Sequence, residues 1–385
     1  MPAILFIASH RTARSPNQRF RFEQYIGHLE RNGWRCEVSP IVTETDDRFL
    51  YKPGNFVQKL RFVRRSIATR RMDVARINQF DIVFVCREAL MTRSTLFERR
   101  FSQGRAKLVY DFDDAIWLHS VSNANRRWGW VKDAGKTSKI IALADHVIAG
   151  NRYLAGFALP YNAHTTIIPT TIDTDEYLPA ARSPDGPVCI GWSGSITTIQ
   201  HFQYAQPALR KIKERFGDRV SFRVIGDGEF RDSSLGITGM PWRKESELDD
   251  LRGIDIGIMP LPDDDWARGK CGLKGLQYMA LGIPPVMSPV GVNGEIVQDG
   301  VNGFLAGPVE EWVEKLGRLI DDADLRGRMG REARCTVEEK YSVTAWRDTY
   351  LDLFNKLTPP CCTPPPPSSI PPSLRSTKRS APRWG

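Results

Sequence analysis

The run Gly269-Lys270-Cys271-Gly272-Leu273-Lys274 brings two lysines together around a turn bracketed by glycines. Glycine lets the backbone approach a ligand closely. The helix expected to begin near Gly272 offers unpaired N–H groups and the positive end of its dipole. Lys270 and Lys274 add two cations at that same end, and together these features form a cradle for a diphosphate. A second cluster is YDFDDAIW (Tyr110 to Trp117), where Asp111 with Asp113 makes a D-x-D pair and Asp114 is adjacent. Paired carboxylates of this kind can hold a divalent metal. They can also cap a helix or line a cleft at a strand end, and a first half that reads as βαβ favours the cleft.

Both clusters fall where strands are expected to end. AILFIAS (Ala3 to Ser9) is a short buried-strand pattern followed by the polar loop HRTARSPNQRFR. In FEQYIGHLERNG, Phe22, Tyr25, Ile26 and Leu29 recur at helical spacing, with a stop at Gly33. WRCEVSPI, DIVFVCR (Asp81 to Arg87), KLVYDFD (Lys107 to Asp113), HVIAGN (His146 to Asn151) and TTIIPT (Thr165 to Thr170) are further strands, with helical patterns between most of them. Leu178 to Pro187 is rich in Pro, Gly and polar residues, as linkers are. A second alternation then runs through VCIGWSGS, HFQYAQPALRKIKERFG, SFRVIGDG, DIGIMPL (Asp255 to Leu261), LKGLQYMALG, PPVMSPVG and NGFLAG. Such alternation predicts an α/β chain of parallel βαβ units in two halves. Ligands of such sheets gather beyond the carboxyl ends of the strands, where GKCG follows DIGIMPL.

Composition narrows the class of protein. With 41% hydrophobic and 26% charged residues the chain is neither fibrous nor disordered over most of its 385 residues. Its longest early apolar run, AILFIA, is far below the ~20 residues of a membrane span, and too short for a secretory leader. Seven scattered cysteines show no paired metal or disulfide spacing, so a reduced, cytoplasmic location is expected. The net charge of +9 is unevenly placed: residues 1–80 hold 15 basic and 7 acidic side chains. Gln58 to Arg76 alone carries seven Lys or Arg and one Asp. That run is either a solvated helix face or a peripheral contact with anionic membrane or a lipid-diphosphate acceptor. No nucleic-acid motif accompanies the charge, so nucleic acid is not an expected partner. The tail from Pro359, PPCCTPPPPSSIPPSLRSTKRSAPRWG, cannot build a core and is expected to be disordered.

The segment Trp266 to Gly307 resembles the donor-binding region of GT-B glycosyltransferases, specifically family 4 (glycosyl transferases group 1). The family pattern runs near E-G-F-G-L-x-x-L-E-A-M-A-x-G-x-P-V-V, then G-G-x-x-E-x-V, then G-x-x-G. It is met by Gly272, Leu273, Leu276, Met279, Ala280, Gly282, Pro284, Val286, Gly291, Glu295, Val297, Gly300 and Gly303. ADHVIAGN and IIPTTID extend the resemblance upstream, so it covers nearly the whole chain except the tail. It implies two Rossmann-like domains facing across a cleft: an acceptor domain at 1–176, a linker at 177–187 and a nucleotide-sugar domain at 188–340. A terminal helix at 341–358 would cross back to the first domain, leaving 359–385 as the tail. Many members place two glutamates eight residues apart, one near the donor sugar and one on the ribose. Here those positions are Gly269 and Gln277. An amide still offers the ribose a donor and an acceptor, and Asp264 within the run Asp263 to Asp265 is the candidate sugar-binding carboxylate. GWSGSITT stands in place of the usual Arg and Lys pair and is similar to a subset with W-x-G-S loops and K-C-x-x-K. That implies donor contacts from Gly194, Ser195 and Glu295, with phosphate charge met by Lys270 and Lys274.

The resemblance implies transfer of a sugar from a nucleotide diphosphate sugar to a glycan or lipid-linked acceptor, with retention and without a required metal or cofactor. Lys270 and Lys274 would then be catalytic, holding charge on the leaving diphosphate. His10, in the first loop, and Asp113 and Asp114 would face the acceptor side. Two alternatives remain open. One is a metal-dependent transferase centred on Asp111 and Asp113; the other is a non-catalytic nucleotide-sugar-binding scaffold, motivated by the missing first glutamate.

Overall fold

In the computed structural model, which describes residues 1–51, 54–118, 135–180 and 186–358, the first half folds around six parallel strands. They are β1 (Ala3–His10), β2 (Arg35–Val42), β3 (Ile82–Cys86), β4 (Lys107–Phe112), β5 (His146–Ala149) and β6 (Thr165–Ile167). Their order is β2-β1-β3-β4-β5-β6, with Ile4 of β1 beside Ile82 of β3. Ala3 to Ala8 and all of β3 are buried, as a sheet covered on both faces requires.

The second half repeats the plan. Its strands are β7 (Val188–Ser193), β8 (Val220–Gly226), β9 (Arg231–Asp232), β10 (Ile237–Thr238), β11 (Met240–Pro241), β12 (Ile256–Met259), β13 (Pro285–Met287) and β14 (Phe304–Leu305). The parallel sheet is ordered β11-β8-β7-β12-β13-β14, and β9 and β10 form a separate antiparallel pair. These three very short strands, β9 to β11, were not legible from hydrophobic patterning, which needs longer runs. Ile190, Val224, Ile256, Ile258 and Val286 bury one face of this sheet, and Ile225, Met259 and Met287 the other.

The terminal helix Val343–Leu357 returns to the first half, where Tyr350 and Phe354 join a core with Phe6, Phe22, Tyr25 and Phe84. Tyr350 donates its hydroxyl hydrogen to the Arg21 carbonyl at 2.8 Å. Ser342 caps the helix by accepting from the Ala345 N–H at 3.1 Å. Among the described residues no helix is long and apolar enough to cross a membrane. The expected tail and residues 181–185 of the linker lie outside the described residues.

Candidate active site at the cleft

Strand order reverses direction in both sheets, and each reversal opens a crevice beyond the strand ends. In the first sheet it lies between β1 and β3, whose ends carry His10 and Arg87. In the second it lies between β7 and β12. The loop after β7 is Gly194 to Thr198; the segment after β12 runs through Asp264 to the helix Leu273–Ala280. Gly272, at φ +71°, starts that helix in the left-handed region, and an added Cβ would strike Ile296.

Lys270 reaches across the cleft. Its Nζ donates to Asp114 Oδ1 at 2.8 Å, and it lies 4.7 Å from the centre of the Trp266 ring. Asp114 Oδ2 accepts from Arg87 Nη2 at 3.0 Å, while Arg87 Nε donates to Asp113 Oδ1 at 2.7 Å. Burial alone would raise the Asp114 carboxyl, but Lys270 and Arg87 outweigh it and hold the group below its usual range. Arg87 pays a local strain for this position, having φ +63° without being glycine. Lys274 sits one turn further on, 5.4 Å over the Trp192 ring, with no carboxylate paired to it among the described residues. Burial first, then repulsion from Lys270, lowers its ammonium to about 8.

Asn151 locks this loop to the first half. Its Nδ2 donates to the carbonyls of Gly269 at 3.2 Å and Lys270 at 3.1 Å, while its Oδ1 accepts from the Leu154 N–H at 2.8 Å. The Cys271 thiol donates to the Asp113 carbonyl at 3.2 Å. A Cβ at Gly269 would stand 2.6 Å from Ala115 Cβ and 2.9 Å from its nitrogen. With the halves so apposed, position 269 has no room for a glutamate. Gln277 has a different physical reason. Its Nε2 donates to Tyr177 Oη at 3.0 Å and to Glu247 Oε1 at 3.4 Å. A carboxylate there would face Glu247 and be repelled. Glu247 is itself held by Arg19 of the first half, with Arg19 Nη2 2.5 Å from Oε2 and both side chains nearly sealed from solvent.

The remaining sequence-derived candidates are spread around these two crevices. Gly194 and Ser195 lie in the loop after β7, where Ser195 N–H donates to Thr198 Oγ1 at 2.9 Å. Asp264 caps the short helix Asp265–Arg268 by accepting from the Ala267 N–H at 2.7 Å. Glu295 is exposed, 3.9 Å from Arg152. His10 ends β1 with Nε2 3.3 Å from Tyr51 Oη and, among the described residues, no hydrogen-bond partner on Nδ1. Burial, then Arg14, lowers His10 to about 4, so it is neutral at pH 7. Asp111 corrects one expectation: it is fully buried, and Arg21 binds it through Nε at 3.2 Å to each oxygen and through Nη2 at 2.6 Å. Both its oxygens are committed to a guanidinium, so Asp111 and Asp113 do not form a shared metal site. Arg87, Asn151, Glu247 and His201 were not singled out from sequence. The signal available was weak: Arg87 and Asn151 each end a strand pattern, a place where ligand-facing residues concentrate.

Residues 187–322, roughly a third of the chain, match the family model described as Glycosyl transferases group 1. A sulfoquinovosyl transferase of Arabidopsis thaliana is 30% identical over 199 residues, covering 46% of this chain and 36% of the relative. An alpha-D-kanosaminyltransferase of Streptomyces kanamyceticus is 24% identical over 186 residues, covering 45% of this chain and 46% of the relative. The chain therefore matches less than half the length of either curated relative. Among solved structures, sucrose-phosphate synthase from Thermosynechococcus elongatus superposes with TM-score 0.66 at 14% identity, covering 93% of this chain and 99% of the other. HepE of Anabaena in complex with UDP-glucose superposes with TM-score 0.65 at 15% identity, covering 92% and 100%. At such identities the likeness shows the fold, which is the two-domain GT-B arrangement.

Proposed function

We propose that the chain, whose residues 187–322 match the glycosyl transferases group 1 model and whose fold is GT-B, is a glycosyltransferase using a nucleotide diphosphate sugar. The donor would occupy the crevice between β7 and β12, with its diphosphate against Lys270, Lys274 and the first turn of Leu273–Ala280. The observation that carries this reading is Lys274: a recessed cation at a helix start, beside a second lysine and with no carboxylate paired to it among the described residues. Breaking the bond from sugar to phosphate leaves negative charge on the diphosphate, and fixed cations stabilise it there. The acceptor hydroxyl would arrive from the β1–β3 side, near His10, Asp113 and Asp114, and attack the face from which the diphosphate leaves, passing its proton to the departing phosphate oxygen as the sugar–phosphate bond breaks. Configuration is then retained, and no protein nucleophile is needed. Positioning and leaving-group stabilisation supply the catalysis.

A thermal-shift screen over UDP-, GDP- and ADP-sugars identifies the donor, since binding to the native state raises apparent stability. With that donor, Lys274→Ala should lower turnover roughly 100–1,000-fold while circular dichroism stays unchanged. Near-normal turnover would remove the assignment. Tight donor binding with no transfer to any acceptor would favour a binding scaffold instead.

The acceptor side also carries a surface suited to anionic lipid. On the helix Phe56–Arg76, Phe56, Leu60 and Val63 form an exposed stripe at helical spacing with Val57 beside it, and Arg61, Arg64 and Arg71 are exposed around them. Tyr51, which contacts His10, lies just before this helix. An apolar stripe flanked by arginines suits the headgroup boundary of a negatively charged membrane. A lipid-linked acceptor would thus be presented beside the cleft. Co-sedimentation with phosphatidylglycerol vesicles but not phosphatidylcholine vesicles is expected, and Leu60→Asp should reduce it. Equal recovery with both lipids would refute the contact.

A further inference from the structure

His201 lies in a short 3-10 turn, Ile199–Tyr204, which follows the loop after β7. It is 5% exposed, and its Nδ1 is buried with no hydrogen-bond partner among the described residues. A buried imidazole nitrogen without a partner carries a desolvation cost that a packed structural histidine avoids by hydrogen bonding. The surroundings explain the arrangement. The next residue, Phe202, packs edge-on against Trp192 at 6.1 Å, and Lys274 lies over that same indole. The turn carrying His201 and the helix start carrying Lys274 are therefore held by one aromatic ring. The charges acting on His201 are Lys274, Lys270, Asp264 and Asp114. These same groups border the proposed diphosphate site.

We propose that His201 is a third diphosphate contact, whose imidazole takes up a proton and donates to a phosphate oxygen beside Lys270 and Lys274 when the nucleotide binds. Without ligand, burial first and the two lysines next lower His201 to about 4, so the ring is neutral. A bound diphosphate offsets both lysines and supplies an acceptor, which reverses the preference. A nucleotide diphosphate ester of a sugar carries two negative charges, and the free nucleotide diphosphate up to three when fully ionised. Asp114 already draws on Lys270, so the two lysines leave part of that charge unmatched, and protonated His201 would supply a further cation.

This inference rests on the donor-site reading, and the experiment separates the two. UDP, GDP and ADP are titrated calorimetrically at pH 6 in buffers of different ionisation enthalpy, and the tightest binder is kept. At that pH Lys274, near 8, is already protonated and silent. Wild type should take up at least about 0.5 proton more than His201→Gln, which should bind roughly tenfold more weakly, as loss of a charged hydrogen bond implies. Imidazole nitrogen-15 shifts of wild type, read with and without nucleotide, report the same proton without any substitution. Equal proton uptake and affinity in the variant, with no change in the nitrogen shifts, overturn the role of His201. Unchanged affinity in both Lys270→Ala and Lys274→Ala, or no binding of any of the three nucleotides, overturns the donor site itself.

Discussion

Asp114 and the donor's diphosphate would compete for the same lysine, and that competition can be measured. Lys270 Nζ lies 2.8 Å from Asp114 Oδ1, with side chains 17% and 15% exposed. At an effective dielectric of about 20, two unit charges at that separation attract by about 6 kcal/mol before desolvation. Desolvation offsets most of this. Exposed pairs net about 0–1 kcal/mol, and breaking a buried pair costs about 3–5 kcal/mol. This pair, recessed but reachable by water, belongs between those limits, near 1–2 kcal/mol. Asp114→Asn keeps the shape of the side chain, leaves Arg87 its bond to Asp113 and frees Lys270. UDP, or whichever nucleotide binds, should then bind roughly 5–30-fold more tightly. The assay is isothermal titration on wild type, Asp114→Asn, Lys270→Ala and the double variant. A coupling of at least about 1 kcal/mol between positions 114 and 270 is expected in that cycle. If Asp114→Asn leaves the dissociation constant within twofold of wild type, or weakens it, Lys270 is not the shared cation and the reasoning fails.

Two further outcomes follow from buried ionisable groups elsewhere in the cleft. Glu247→Ala would leave Arg19 sealed and unpaired, costing about 3–5 kcal/mol in urea unfolding; Arg19→Met in the same chain should recover most of it, and a loss below 1 kcal/mol in the single variant would contradict the pairing. His10 is lowered from 6.5 to about 4 by burial, so the folded chain binds fewer protons there than the unfolded chain between those values. Stability is therefore intact above pH 6.5 and falls as pH drops through 4, with about 2 kcal/mol lost by pH 5. His10→Asn should flatten that part of the urea midpoint against pH, and an unchanged slope would show that His10 titrates normally.

The sheets of both halves were legible because their strands are apolar on both faces and end in turn residues. AILFIAS became β1 with one residue added at the end, and KLVYDFD became β4 with its last aspartate left beyond the strand. GKCGLK was legible as a glycine turn before a helix, and that turn stands at the strand reversal. What could not be read was which charges meet. Lys270 and Asp114 are 156 residues apart, and Arg19 and Glu247 are 228 apart. Nothing in local periodicity encodes such pairs.

That limit bears most on Gly269 and Gln277, which in the sequence look like losses from a family pattern. Across the cleft they look like adjustments to neighbours. Gly269 lies against Ala115, and Asn151 grips its carbonyl, so a side chain there would pry the halves apart. Gln277 hydrogen-bonds a glutamate that already balances Arg19, so a second carboxylate would upset a buried pair. The two departures thus belong to one arrangement, in which the first half supplies Asp113, Asp114, Asn151 and Arg19 to the second. On the proposed donor-site reading, a chain that closes its cleft through these contacts would open it to admit a donor, and the Asp114–Lys270 pair is the contact whose loss an incoming diphosphate would directly offset.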